Sequence, residues 1–173
     1  MSPWIVCFCG LPGVGKSTIA RDLAQETGAL WLRIDAIEDA MRRSHMRTDD
    51  MADGGYAAAQ AVAEAALSQG FCVVADCVNP IALTRAAWQV PAQRTGAPHL
   101  DVEIVCSDRG AHRRRVEDRR KRAASPGMPD WAAVEGREYL PFQNAFQIDT
   151  SRASAKDAVH EIRREMTRLG WTV

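Results

Sequence analysis

Apolar residues along the chain gather into short unbroken runs, and between these runs they recur at helical spacing. Trp4–Cys9, Leu30–Ile34, Phe71–Ala75 and Val102–Cys106 are β-rich, with Phe146–Ile148 a weaker fifth run. Each is continuous rather than alternating, the pattern of strands covered on both faces. Lys16 to Thr27 reads as a helix ended by Gly28, Asp35 to Ser44 as a second, and the alanine-rich Tyr56 to Gln69 as a third ended by Gly70. Pro80 to Thr95 is also helical in pattern, although Pro91 should break or kink it. The clearest period comes last, where Ala155, Ala158, Val159, Ile162, Met166 and Leu169 follow a Ser154-x-x-Asp157 capping signal. Strands alternating with helices predict a three-layer α/β fold around a parallel sheet with right-handed crossovers. With no internal repeat and no long linker, residues 1–173 read as one domain, large enough to bury roughly two-thirds of its unfolded surface.

Charge alters this picture only locally. Basic and acidic residues balance at 22 each, so the whole chain offers no reason to expect nucleic acid or an anionic membrane as its main partner. No apolar stretch approaches ~18 residues and the N-terminal run lacks a positively charged lead, so a cytoplasmic location is expected. Five cysteines, an odd number without a C-x-x-C pair, lie in or beside apolar runs and are expected as buried, reduced thiols. Four histidines, His45, His99, His112 and His160, show no metal-ligand spacing. From Ser107 to Arg122, however, eight basic residues face three acidic ones, an excess of 8 − 3 = +5. Arg115 and Arg119, four apart, share one helix face. Most of these arginines suit a solvated helix; two or three suit a lid, about 107–130, that closes over triphosphate. Ser125-Pro126-Gly127-Met128-Pro129 reads as a mobile loop in that lid.

The strongest chemical signal is Gly10-Leu11-Pro12-Gly13-Val14-Gly15-Lys16-Ser17, a complete match to G-x-x-x-x-G-K-[ST] between a strand and a helix. Glycines let the backbone turn tightly and aim its N–H groups, with the helix N-terminus, at phosphate oxygens. Lys16 adds a compact charge for the γ-phosphate and the Ser17 hydroxyl can ligate Mg²⁺. Gly10, Gly13, Val14, Gly15, Lys16, Ser17 and Thr18 are the expected nucleotide contacts. Two aspartates end strands, where ligands of open α/β sheets bind. Asp76 has the form of a metal-holding carboxylate. Asp35 is a candidate base for an acceptor hydroxyl, with helix capping as the competing role.

Together these motifs, with Arg115-Val116-x-x-Arg119 and Ile148-Asp149-Thr150-Ser151 before the last helix, resemble the P-loop kinase group over nearly the whole chain. That group includes gluconate kinase, adenylylsulfate kinase, chloramphenicol phosphotransferase, zeta toxins and the kinase domain of polynucleotide kinase; bacterial kinases without an assigned substrate are the nearest in pattern. The resemblance implies a five-stranded parallel sheet of order 2-3-1-4-5, ATP with Mg²⁺, Lys16, Asp35 and Arg119 as catalytic residues, and Ser17 and Asp76 as metal ligands. It also implies that Arg115, Arg119 and Arg152 contact the nucleotide, the last from a loop, Thr150 to Ser154, bordering adenine. One departure stands out: polynucleotide kinases and zeta toxins carry arginine three residues after the acceptor-side aspartate, and this chain has Glu38, leaving Arg33, Arg42 or Arg43 as substitutes. The expected reaction is phosphoryl transfer to a hydroxyl of a small polar molecule. A nucleotide switch is the alternative, although the chain lacks N-K-x-D and has Asp76-Cys77-Val78-Asn79 where D-x-x-G would stand. A polynucleotide 5′-hydroxyl kinase is disfavoured by neutral charge and Glu38. Acceptor identity and oligomeric state are not encoded in these motifs; acceptor pockets of this fold come from the segment His45 to Tyr56 and the loop after Asp76.

Overall fold

A computed structural model describes residues 2–45, 50–122 and 128–172. The elements run β1 (Ile5–Cys9), α1 (Lys16–Thr27), β2 (Leu30–Arg33), α2 (Ile34–Arg43), α3 (Gly54–Ser68), β3 (Val73–Asp76), α4 (Ala82–Thr95), β4 (His99–Val105), α5 (Arg109–Arg122), α6 (Trp131–Glu135), β5 (Phe146–Asp149) and α7 (Ala155–Arg168). All strand pairs are parallel and the sheet order is β2-β3-β1-β4-β5, as expected.

Because successive strand residues point to opposite faces, the central strand serves two cores at once. Val6 and Phe8 pack with α1 and α7 through Ile19, Leu23, Val159 and Ile162, while Ile5 and Cys7 join Ala59, Ala63, Leu67 and Trp88 from α3 and α4. That double burial is why β1 reads as an unbroken apolar run. The chain end returns beside its start, with Trp171 stacked on Trp4 at 6.1 Å between ring centroids.

Helix ends follow the expected chemistry where it is local. Gly28 closes α1 in the left-handed region at φ 70°, and Ser154 and Asp157 form a reciprocal capping box at the start of α7. Elsewhere the expected bounds shift. β4 begins at His99, earlier than the apolar run at Val102, since its first residues alternate polar and apolar. β3 begins at Val73 and leaves Phe71 outside and exposed. Pro91 neither ends nor breaks α4, which continues to Thr95. Pro91 supplies no N–H to the Ala87 carbonyl, and the buried Trp88, Pro91 and Ala92 hold that turn on the core. α2 starts one residue before Asp35, and the five-residue α6, capped by Asp130 accepting from the Ala133 N–H, is too short to show a period. The Ser125-Pro126-Gly127 part of the expected mobile loop lies outside the described residues, as do 46–49 of the segment expected to shape the acceptor pocket.

Candidate active site

β1 delivers its chain directly into the glycine-rich turn, and three glycines there adopt positive φ: Gly10 at 136°, Gly13 at 87° and Gly15 at 104°. At two of them a side chain is also sterically excluded. A Cβ on Gly10 would lie 2.2 Å from the Ile104 carbonyl oxygen, and one on Gly13 would lie 2.5 Å from Val116 Cγ2. Gly15 occupies the N-cap of α1, and no side chain caps that end. The first N–H groups of α1 therefore remain available to an external acceptor, with the helix dipole favouring an anion. Gly13→Ala is expected to lower stability by about 1–3 kcal/mol in thermal denaturation, from the left-handed backbone and the Val116 contact together.

Lys16, the first residue of α1, is buried, and its Nζ donates to the Leu11 carbonyl oxygen of the same loop at 2.9 Å. Burial lowers its pKa, and Asp76 and Asp35 oppose that shift while Arg119 adds to it. Asp76 ends β3 at 5% exposure, and its Oδ2 has no hydrogen-bond partner. Burial raises its pKa, with Lys16, the Ser17 hydroxyl and Arg33 pulling it back. A buried carboxylate oxygen without a hydrogen bond, beside a serine hydroxyl, suits a hard divalent cation, since oxygen ligands of this kind hold Mg²⁺. The pairing of β2 with β3 sets Arg33 opposite Asp76, and its Nε lies 3.7 Å from Asp76 Oδ2. Asp35 is exposed in the first turn of α2, within electrostatic reach of Lys16 and Asp76. Arg33 holds the N-cap position and makes no side-chain cap, so Asp35 is not the capping residue.

Beside the cradle opens a cleft of about 380 Å³. Gly13, Gly15, Ser17 and Thr18 form its floor, and Lys16, Arg21, Arg33, Arg115 and Arg119 line it with five cations and no carboxylate. The two arginines from α5 differ in attachment. Arg115 donates to Thr150 Oγ1 at 2.8 Å and to the Thr150 carbonyl at 2.9 Å, and Thr150 Oγ1 in turn donates to the Val14 carbonyl at 2.8 Å. Arg119, one turn later, makes no hydrogen bond or ion pair among the described residues. Arg152 is not brought to the cleft: its side chain is 83% exposed and paired with Asp149 at 3.5 Å. The loop instead meets the cradle through Thr150, whose small hydroxyl reaches two carbonyls that a long side chain would overshoot.

Two contacts were not legible in the sequence. His112, buried on α5, pairs through Nε2 with the Pro12 carbonyl at 2.8 Å and meets Trp131 edge-on at 5.1 Å between centroids. Since a carbonyl only accepts, Nε2 carries the proton. Arg85, buried on α4, donates to the carbonyls of Asn79 (2.9 Å), Pro80 (3.3 Å), Pro141 (3.2 Å) and Leu140, and lies over the rings of Tyr139 and Phe142. It ties the loop after Asp76 to the segment after α6. Within that loop Asn79 is fully buried at φ 49°, with both side-chain amide atoms unpaired and its N–H donated to the Tyr56 hydroxyl. Glu38 pairs with Arg42 at 3.3 Å, so Arg42 is engaged on its own helix.

Fold and cradle define a P-loop nucleotide-binding protein with the sheet of the P-loop kinases. The chain belongs to the AAA domain family, whose model matches residues 5–135. It is similar to the probable bifunctional SAT/APS kinase 2 of Sorangium cellulosum, with 23% identity over 183 residues, covering 99% of this chain and 30% of that protein. The chain thus spans less than a third of the length of the curated relatives it matches. Among solved structures it shares its fold with the APS kinase of Mycobacterium tuberculosis, at 20% identity and a TM-score of 0.71, covering 96% of this chain and 98% of that one. The gluconokinase of Sinorhizobium meliloti 1021 is similar at 16% identity and a TM-score of 0.68, covering 97% and 94%. Among the described residues no helix is long and apolar enough to cross a membrane.

Proposed function

We propose that the chain is an ATP-dependent kinase that, with Mg²⁺, moves the γ-phosphoryl group to a hydroxyl of a small polar molecule. The observation that carries this reading is the meeting of an uncapped helix N-terminus, a buried lysine and a buried carboxylate oxygen without a hydrogen bond around one glycine-rich turn. Kinase relatives and the kinase fold of the neighbours support it. Magnesium ATP would supply the transferable phosphoryl group and a cation to balance its charge. Lys16 and the turn's N–H groups would hold the phosphates, and Ser17 and Asp76 the metal. Asp35 would take the proton from the acceptor hydroxyl at its carboxylate, and Arg119, free to move toward the phosphates, would balance charge during transfer.

The test is an ATP-consumption screen across sulfonucleotides, sugar acids, sugars, nucleosides and aminoglycoside-like antibiotics. One class should raise ADP formation well above the acceptor-free rate and yield a phosphorylated product. Slow hydrolysis indifferent to every acceptor would favour a nucleotide switch instead.

Arg119→Ala is expected to lower transfer by more than tenfold with the fold unchanged. A five-cation cleft could also attract oligonucleotides, and salt separates the two uses. A surface neutralising several phosphates loses affinity with a slope near −0.9 per contact for duplex DNA in log K against log salt. The chain should show no measurable oligonucleotide affinity at physiological ionic strength. Tight, salt-sensitive binding abolished by Arg119→Ala would put a polynucleotide kinase in first place.

A further inference from the structure

The face of the sheet turned away from α1 carries a second cluster of chemically active side chains. β1 and β4 run side by side with Ile5 opposite His99 and Cys7 opposite Asp101. Strand geometry sends His99, Asp101 and Cys7 to one side, while Leu100, Val102 and Ile104 face the α1–α7 core. A sulfur, a ring nitrogen and a carboxylate oxygen, one from each of Cys7, His99 and Asp101, all lie within 4.8 Å of one another. No sequence motif announces them, because residues 7, 99 and 101 meet only when the sheet forms.

The bonding of these atoms is unusual for a buried place. His99 Nε2 and Asp101 Oδ1 lie 3.2 Å apart, with their side chains 12% and 14% exposed. Neither atom has a hydrogen-bond partner, so the pair is close without being aligned for a hydrogen bond. Cys7 is fully buried and makes no hydrogen bond among the described residues, whereas its neighbours Cys9 and Cys77 donate to the carbonyls of Val102 and Phe8. Buried polar groups in folded proteins nearly always find partners, and unpaired ones call for an explanation such as an ion. Three donors converging on each other, rather than bonding to each other, is the arrangement of ligands around a shared centre.

Distances and donor types agree on the kind of centre. With zinc bond lengths of about 2.0–2.1 Å to nitrogen or oxygen and about 2.3 Å to sulfur, tetrahedral ligands lie roughly 3.3–3.6 Å from one another. The observed 3.2 Å between nitrogen and oxygen is close to that spacing. Thiolate with imidazole selects zinc-type ions over magnesium, which prefers an all-oxygen shell. A groove of about 340 Å³ beside α4, lined by Gln89, Gln93, Gly96 and His99, gives an entry path and room for a water as fourth ligand.

We infer that Cys7, His99 and Asp101 form a binding site for one divalent transition-metal ion of the zinc type, separate from the nucleotide cleft. Binding replaces the Cys7 thiol proton with the ion, the proton leaving to solvent. The ion would join β1 to β4 across the central seam of the sheet, three residues before the cradle begins.

Cobalt(II) is the probe, since its visible and near-ultraviolet absorption reports both tetrahedral geometry and thiolate ligation. The full chain, reduced and in excess Mg²⁺ without nucleotide, is titrated with Co²⁺, then with Zn²⁺ in competition. The expected result is one equivalent of cobalt with tetrahedral ligand-field bands and a thiolate charge-transfer band, both removed by zinc. Cys7→Ser should lose the charge-transfer band, and His99→Gln and Asp101→Asn should each weaken cobalt binding by roughly tenfold or more. Should Cys7→Ser fail to fold by circular dichroism, the other two variants and the charge-transfer band of the unsubstituted chain decide. No bound cobalt, a spectrum without thiolate character, or binding unchanged in both His99→Gln and Asp101→Asn would overturn the assignment.

Discussion

Lys16→Ala is expected to remove all measurable affinity for magnesium ATP in calorimetry while the circular dichroism spectrum stays that of the unsubstituted chain. Both halves of this outcome follow from how Lys16 is held. Its ammonium is buried, and its one hydrogen bond among the described residues goes to the Leu11 carbonyl of the loop that would enclose phosphate. Removing one such bond costs about 0.5–1.5 kcal/mol, too little to unfold a domain with two apolar cores. Binding is another matter. Burial disfavours the ammonium, and the carboxylates of Asp76 and Asp35 oppose that shift. Phosphate oxygens would take the place of the Leu11 carbonyl, and without the lysine the glycine-rich turn would meet them with its N–H groups alone. Wild-type-like ATP binding by this variant would sink the P-loop reading altogether.

The second large effect separates the two aspartates. Asp35→Asn should bind ATP normally and lose about 10²–10⁴ in transfer rate, the usual contribution of a positioned base. Asp76→Asn should lose rate as well, but should also raise the Mg²⁺ concentration needed for half-maximal activity. Their surroundings explain the contrast. Asp35 is exposed at the start of α2 and has no hydrogen bond to lose among the described residues, whereas Asp76 is buried between Lys16, Ser17 and Arg33. Transfer at the wild-type rate by Asp35→Asn, measured with an acceptor from the screen, would leave Asp35 without a catalytic role.

What the sequence made legible was whatever depends on neighbours along the chain. The cradle is eight consecutive residues, and the end of α1 at Gly28 and the capping box of α7 are local hydrogen-bond patterns, so each could be read directly. The parallel sheet was readable because β1 and β3, buried on both faces, leave continuous apolar runs between helical segments, while the edge strands β2 and β5 are only partly covered. Pro91 does not break α4 as expected, because the packing of Trp88 and Ala92 on the core outweighs a local preference. Sequence gives the loop of Arg152 but not the direction of its side chain, which pairs with Asp149 away from the cleft. His112 and Arg85 were invisible for a related reason. Each reaches at least one backbone carbonyl far along the chain, and a carbonyl has no sequence signature.

The contacts of α5 bear on what part of the basic segment is able to move. Its first two turns are fixed to the nucleotide cradle at three places: His112 on Pro12, Val116 against Gly13, and Arg115 through Thr150 to Val14. A gate pivoting near residue 107 would have to tear all three away, and with them the shape of the turn itself. A pivot would instead lie beyond Val116, which makes the root of α5 a wall of the nucleotide cleft and would leave the last turn of the helix, Arg119 to Arg122, as the part able to swing. Mechanically the helix is a lever with its fulcrum on the cradle. A small adjustment of the glycine-rich turn on phosphate entry would then be carried along α5, and the contacts that hold Arg119 near the cleft would couple it to the filling of the cleft.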